Sequence, residues 1–250
     1  MVKKLFMVQV LLLSCVISMA QKSTDTIRIA DDLQLVKVMD NVYVHVSTFN
    51  IPEFGGLIPA NGVVYVNGNE ALLFDTPWTQ PQTVMLVEYL QKVMHLKLVG
   101  FVPNHWHEDC LAGLSYLKSI KVPSYANQMT IKLAKKHQKP FPVHGFKDSL
   151  QLQLGNKRVM CYYLGAAHST DNIVIWMPSE RVLFAGCMVK GVGSSNLGNT
   201  ADGDLKAYPK TIQKVMAKFP SAKLVISGHG SWGGMEQLEH TLKLAKKQQQ

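Results

Sequence analysis

In the first third of the chain, apolar and polar positions alternate. "TIRIA", "QLVKVM" and "VYVHVS" have this period of two or concentrate β-branched residues, the pattern of strands with one buried face. "GVVYVN" and "EALLFD" continue it on either side of a turn at Gly68-Asn69. "QTVMLVEYLQKVM" changes the spacing of its apolar residues to three and four, which predicts a helix. "KLVGFVPN" is a short continuous apolar run suited to a buried strand, and "LAGLSYLK" and "NQMTIKLAKKHQ" read as helices. The second half repeats the plan. "SLQLQL", "KRVMCYYL", "NIVIWM" and "RVLFAG" are strand-like, "DLKAYPKTIQKVMAKF" is an amphipathic helix, "AKLVISGHG" is a strand running into a glycine turn, and "MEQLEHTLKLAKKQ" is a closing helix. Strands followed by helices, twice, predict an α/β chain of two similar halves, with sheets face to face and helices outside. The glycine- and proline-bearing stretch "STFNIPEFGGLIPANG" lies between strands and is expected to be a surface loop or a mobile flap over a site.

The N-terminus departs from this pattern. Lys3 and Lys4 precede an apolar run over residues 5–17, and the small residues Ser18 and Ala20 stand just before Gln21. This is the form of an export leader over residues 1–20, leaving a domain over 21–250 and a periplasmic location. The alternative is a lipoprotein signal at "LLSC" with Cys15 acylated; "SMA" before Gln21 is the better-formed site. The run is too short to span a bilayer comfortably, and no later segment reads as a membrane helix.

Composition narrows the class. Hydrophobic residues make up 47% of the chain and charged residues 17%, which reads as globular. Of the net charge of +9, two units come from the leader; the other lysines are spread over helix faces and the tail, without a basic block interleaved with aromatics, so no nucleic-acid partner is expected. It reads as a solvated basic surface, or as a mild attraction for anionic small molecules. Without Cys15, three widely spaced cysteines remain, Cys110, Cys161 and Cys187, which is no disulfide framework. Cys161 in "VMCYYL" reads as a small core residue.

Candidate chemistry gathers in "NHWHEDC". Side chains two apart on an extended segment share a face. His105, His107 and Asp109 have that spacing, with Trp106 and Glu108 opposite, and the preceding apolar run favours a strand end. Two imidazoles on one face can hold an ion, and the carboxylate beyond can reach it or a second one. "GAAHSTDN" places His168 at the end of a strand, "AGCMVKG" places Cys187 just after "RVLFAG", and "SGHG" places His229 directly after "KLVIS". Each alone reads as structural. Together, after similar strands and beside glycine or alanine, they imply ligands converging at one edge. His45, His95, His137, His144 and His240 fall outside these motifs and read as surface or structural.

"HWHEDC", "GAAHSTDN", "GCMVK", "LGNTADGD" and "SGHGSWGG", in this order within residues 25–244, resemble the B1 subclass of metallo-β-lactamases. The wider superfamily usually has histidine where Cys110 stands and a bridging aspartate where Cys187 stands, and both differences point to that subclass. The resemblance implies a four-layer αβ/βα sandwich with the active site at one edge of the sheets. It implies two Zn²⁺ per chain, one held by His105, His107 and His168, the other by Asp109, Cys187 and His229. It implies hydrolysis of the β-lactam amide of penicillins, cephalosporins and carbapenems by a metal-bound hydroxide, and hence antibiotic resistance; nothing visible in the sequence suggests an obligate partner, so a monomer is expected. Asp109 would also orient the nucleophile, Lys190 would meet the substrate carboxylate, and Asn199 would lie near the developing oxyanion. Asp75 would stand behind the ligands, and residues 49–57 would form a flap. The bland alternatives are a surface lysine, a turn asparagine and a turn-capping aspartate. Ligand chemistry agrees independently: three histidines suit catalytic zinc, and a thiolate selects zinc over magnesium, calcium or manganese. Ala166-Ala167 depart from the glycines usual before this histidine, which bears on efficiency. Rival functions are a zinc hydrolase of a lactone or thioester, and a periplasmic zinc-binding protein without turnover; the latter needs neither Lys190 nor Asn199.

Overall fold

The first sheet is built from six strands hydrogen-bonded in sequence order: β1 (Thr26–Ala30), β2 (Leu33–Met39), β3 (Val42–Ile51), β4 (Gly56–Asn67), β5 (Glu70–Phe74) and β6 (Lys97–Val102). The structure, a computed structural model, describes residues 25–249, so the expected leader and Cys15 lie outside the described residues. Helix α1 (Gln80–Lys92) joins β5 to β6. It begins at a reciprocal cap in which the Thr79 hydroxyl accepts from the Gln82 N–H and the Gln82 side chain accepts from the Thr79 N–H. After β6 come α2 (Glu108–Leu111), α3 (Leu114–Ser119), β7 (Tyr125–Asn127), α4 (Gln128–Lys136) and β8 (His144–Phe146). The second sheet takes β9 (Ser149–Leu154), β10 (Lys157–Tyr162), β11 (Val174–Met177), β12 (Val182–Lys190) and β13 (Leu224–His229), in the order β13-β12-β11-β10-β9. Helix α5 (Tyr208–Lys218) joins β12 to β13, and α6 (Glu236–Lys247) closes the chain.

Alternation along the strands makes the layers. On β4 and β5, Val63, Tyr65, Leu72 and Phe74 point between the sheets, where they meet Val159, Ile175, Phe184 and Ile226. Their neighbours Val64, Ala71 and Leu73 point outward onto Leu86, Leu90, Leu114 and Leu117 of α1 and α3. Leu183 and Val225 do the same on the far side, against Tyr208, Ile212 and Leu238 of α5 and α6. The order is helix, sheet, sheet, helix, the four-layer sandwich expected. β12 is buried at all nine positions, as a strand covered on both faces must be, and its sequence is correspondingly apolar.

Each sheet ends in a parallel pair, β5 with β6 and β12 with β13; the other neighbours within the two sheets are antiparallel. The loops leaving the carboxyl ends of these four strands meet at one edge, where open α/β sheets place their ligands. One expectation changes, and one strand pair was not anticipated. The stretch read as a loop is mostly a ladder: β3 and β4 pair from Val42↔Tyr65 out to Ile51↔Gly56, closed by a short turn at Pro52–Phe54. β-Pairing satisfies the backbone groups that a long loop would expose. The parallel pair β7–β8, with three residues in each strand, was not legible because so short a segment has no period to read.

Candidate metal centre

β6 stops at Val102, and the chain bends before α2. The segment from His105 to Asp109 is therefore not extended, contrary to the reading from its spacing. His107 is the N-cap residue of α2, and Glu108 and Asp109 occupy its first turn, where the helix end favours carboxylates. Four residues apart, His105 and Asp109 turn to the same side, with His105 Nε2 4.0 Å from Asp109 Oδ1. Trp106 and Glu108 leave the cluster as expected. Trp106 stacks on His137 at 4.2 Å between centroids, and Glu108 pairs with Lys139.

The other segments arrive from the second sheet. His168 lies in the loop beyond β10 and not at its end. Cys187 and Lys190 lie within β12, which continues past its expected end at Gly186. Gly186, at φ +56°, interrupts the register with β13, and His229 is the last residue of β13.

The six residues form one continuous cluster. Donor atoms of His105, His107 and Asp109 lie within 4.8 Å of one another, as do those of Asp109, Cys187 and His229, and those of His105, His168 and Cys187. The rings of His105, His107 and His168 are 4.5, 4.9 and 5.3 Å apart by centroid. Asp109 Oδ2 is 3.2 Å from Cys187 Sγ and 3.1 Å from His229 Nε2.

Protein groups hold the outward nitrogens of three imidazoles. His105 Nδ1 meets Cys110 Sγ at 3.2 Å, His107 Nε2 meets Asp202 Oδ2 at 2.9 Å, and His229 Nδ1 donates to the Pro59 carbonyl at 2.7 Å. The opposite nitrogens are left facing the cluster, and His105 Nε2 and His107 Nδ1 stand 2.9 Å apart. This is how a protein orients imidazoles for a metal. His168 is the exception, its Nδ1 buried without a hydrogen-bond partner among the described residues.

Electrostatics favour the same occupant. Burial, reinforced by neighbouring cations, pushes the imidazoles of His105 and His168 well below their ordinary range, so both offer neutral lone pairs. The Cys187 thiol is lowered to about 6, first by its hydrogen bond with Cys110, against the cost of burial. Burial alone would raise Asp109, but His229 and the other imidazoles hold its carboxyl well below the usual carboxylate range. Burial alone would lower His229, yet Cys187 and Asp109 push it well above. A thiolate and a carboxylate in contact thus hold a proton on His229 where a cation would balance them. Neutral imidazoles beside a buried thiolate and carboxylate are a donor set that fits zinc.

Behind the cluster, Asp75 sits at φ +57° just after β5, and its carboxylate accepts from the Asn104 N–H. The His45 ring crosses β4 over Gly62, where a Cβ would meet His45 Nε2 at 2.1 Å, and contacts the Asp75 carbonyl at 3.1 Å. Asn104 Nδ2 donates to Ile173 O, and the Ile173 N–H donates to Asn104 O. Asn104 thereby ties the His105 loop to the loop that carries His168. Asp202, Asn104 and the Pro59 carbonyl were not singled out from the sequence. Asp202 lay in a noted motif, "LGNTADGD", but nothing in its spacing pointed to His107.

The cluster floors a cavity of about 970 Å³ lined by Ile51, Ile58, Trp78, Lys190, Asn199 and Asp202, among others. Lys190 is buried, which lowers the pKa of its ammonium; the thiolate of Cys187 and the carboxylate of Asp109 oppose this. Asn199 lines the cavity, while its Oδ1 accepts from the Ala201 N–H at 3.0 Å, the bond expected of a turn residue. Trp78 lies between His229 and Phe49, at 6.0 and 6.1 Å between centroids. The β3–β4 hairpin overhangs the cavity, with Phe49 and Leu57 exposed.

The family described as the metallo-beta-lactamase superfamily matches residues 55–229. A curated relative, metallo-beta-lactamase type 2 of Bacteroides fragilis, is 50% identical over 223 residues, covering 89% of this chain and 88% of the relative. Metallo-beta-lactamase type 2 of Pseudomonas aeruginosa is 34% identical over 217 residues, covering 86% and 85%. Among solved structures, VMB-1 superposes with a TM-score of 0.84 at 38% identity, covering 88% of this chain and 100% of that one. A metallo-beta-lactamase from Pontibacter korlensis gives 0.82 at 33%, covering 86% and 99%.

Proposed function

The chain belongs to the metallo-β-lactamase superfamily, on its B1 branch, and from that premise we propose how its own residues divide the work of β-lactam hydrolysis. It is a β-lactamase that opens the amide bond of β-lactam antibiotics and so confers resistance. The reading assigns two zinc ions per chain, one to His105, His107 and His168, the other to Asp109, Cys187 and His229. The single observation that carries it is the shared cluster of these six side chains at one cavity, where His107, Asp109, His168 and His229 line the floor beside Lys190, and His105 and Cys187 lie buried beneath them. When bound, the ions supply Lewis acidity, making a water nucleophilic at neutral pH and offsetting charge on the amide oxygen and nitrogen.

The remaining steps belong to the protein. Lys190 binds the substrate carboxylate as a buried point charge, worth more there than at a wet surface. The carboxylate of Asp109 accepts a hydrogen bond from the attacking water and sets its line of approach. Asn199, freed from its turn, turns its amide toward the developing oxyanion. Ile51, Ile58 and Trp78 cover the apolar parts of the substrate and exclude bulk water. Cys110, Asp202 and the Pro59 carbonyl keep the imidazoles turned inward. Penicillins, cephalosporins and carbapenems share the ring and carboxylate this arrangement addresses. All six ligands come from one chain, which suits a monomer acting in the periplasm as a domain over residues 21–250, after removal of an export leader.

The test is hydrolysis of a penicillin, a cephalosporin and a carbapenem by the purified protein, before and after exhaustive chelation and after zinc is restored. Turnover that is lost on chelation and regained with zinc supports the assignment. Turnover indifferent to chelation overturns the metal reading. Turnover confined to a lactone or thioester would make it a different zinc hydrolase, and zinc binding without turnover would remove the catalytic roles.

A further inference from the structure

The basic charge of the chain is concentrated in one layer. Residues 25–204 carry fifteen basic and fifteen acidic side chains, whereas residues 205–250 carry eight lysines against two glutamates. The excess after residue 24 therefore lies on the outer layer of α5 and α6 and is not spread over helix faces generally. Lys206, Lys210, Lys214 and Lys218 recur every four residues, about one helical turn. All four are exposed, while Tyr208, Ile212 and Val215 fill the core from the opposite side of α5. On α6, Lys243, Lys246 and Lys247 are exposed, and Glu236 and Glu239 stand in the first turn at the other end. Gln249 bonds to the carbonyls of Leu205 and Lys206, which brings the lysines ending α6 alongside those starting α5.

None of these lysines has an ion-pair partner among the described residues, whereas Lys37, Lys92, Lys139 and Lys157 each have a carboxylate. Lys214 reaches only the Leu164 carbonyl, and Lys218 lies over the Tyr162 ring. Tyr208, the one Phe, Trp or Tyr of the two helices, is fully buried, Tyr162 is half-buried beneath Lys218, and His240 is half-buried with its ring nitrogen on the Ser194 carbonyl, so the face offers no fully exposed ring for bases to stack on. Lysine point charges on a helical face without exposed aromatics match a sheet of phosphate headgroups better than a nucleic acid.

We propose that the α5–α6 face docks this protein on an anionic phospholipid surface. The contact is electrostatic, without insertion, because the large apolar residues of both helices face the core. Each lysine near such a surface strengthens binding about fivefold, and the attraction fades within a Debye length, so salt releases the protein. The cavity takes no lining residue from α5 and only Gln248 from the end of α6.

The experiment is co-sedimentation of the leader-free protein, loaded with zinc, with phosphatidylcholine vesicles with and without phosphatidylglycerol, at low and high salt. The protein is expected to sediment with the anionic vesicles at low salt only. K206Q/K210Q/K214Q/K218Q should weaken that binding at least tenfold with hydrolysis unchanged. K132Q/K135Q/K136Q, which removes lysines from α4, should bind as the unaltered protein does. Equal binding to both vesicle types overturns the proposal. So does an equal loss in the α4 variant, which would make net charge and not this face responsible, or a higher affinity for duplex DNA than for the vesicles.

Discussion

The side-chain amide of Asn104 lies directly against Gly186, so that a Cβ on residue 186 would stand 2.3 Å from Asn104 Cγ. This contact joins the segment carrying His105 and His107 to the strand carrying Cys187. It also explains why a glycine interrupts β12, since its φ of +56° favours glycine as well. Gly186→Ala is therefore expected to destabilise the protein by roughly 1–3 kcal/mol through strain and displacement. It should also weaken metal binding. Urea denaturation and metal content after dialysis measure the two effects, and a variant unchanged in both would show that the contact is dispensable.

Asp202 faces the outward nitrogen of His107 at 2.9 Å. Asp202→Asn keeps the shape and removes the charge that orients the ring. Partners of this kind cost about 10–100-fold in metal affinity or activity when altered. Competition with a chromophoric chelator should show a loss in that range, and an affinity equal to the unaltered protein's would remove Asp202 from this role.

Lys190→Ala removes the one lysine among the residues lining the cavity. Losing a hydrogen bond to a charged group costs about 1.5–3 kcal/mol, so KM for carboxylated β-lactams should rise about 10–100-fold. Zinc content should stay intact, because no ligand is touched. Steady-state kinetics that show KM and kcat/KM unchanged would refute the assignment.

His45 supplies a pH dependence apart from the ligands. Burial lowers its pKa from 6.5 to about 4, against the raising effect of its bonds to the Asp75 and Phe74 carbonyls. The folded protein thus keeps the ring neutral where the unfolded chain would protonate it. Its contribution to stability is complete above about pH 6.5 and is lost as the pH falls toward about 4, amounting to about 3 kcal/mol. Urea denaturation of the chelated protein should lose stability across that window, and His45→Gln should lose less. Parallel curves for the two proteins would place the acid sensitivity elsewhere.

How much of this was legible in advance depended on the range of the interaction. Strand and helix periods are local, so most long elements could be read at least in part from their own residues, and the layered fold followed. Candidate ligand types were equally legible, because His168, Cys187 and His229 stand out chemically beside small residues and His105 and His107 stand out as a pair two apart. The hairpin over 48–59 was missed because proline and glycine resemble loop punctuation even where strands pair across them. The local shape around Asp109 was misread because a two-residue spacing fits an extended segment, and only the helical turn begun at His107 swings the carboxylate back to His105.

The sequence by itself determined the layers, the element types and the inventory of candidate metal ligands, because each of these is encoded within a few neighbouring residues. Only the tertiary structure decided that Asp202 holds His107 and the Pro59 carbonyl holds His229, that Asn104 packs on Gly186, and that His45 braces Asp75 across Gly62. These pairs lie 30 to 170 residues apart in the chain, and no local pattern records them. Their geometry exists only once two sheets have packed and brought four strand ends to the same edge.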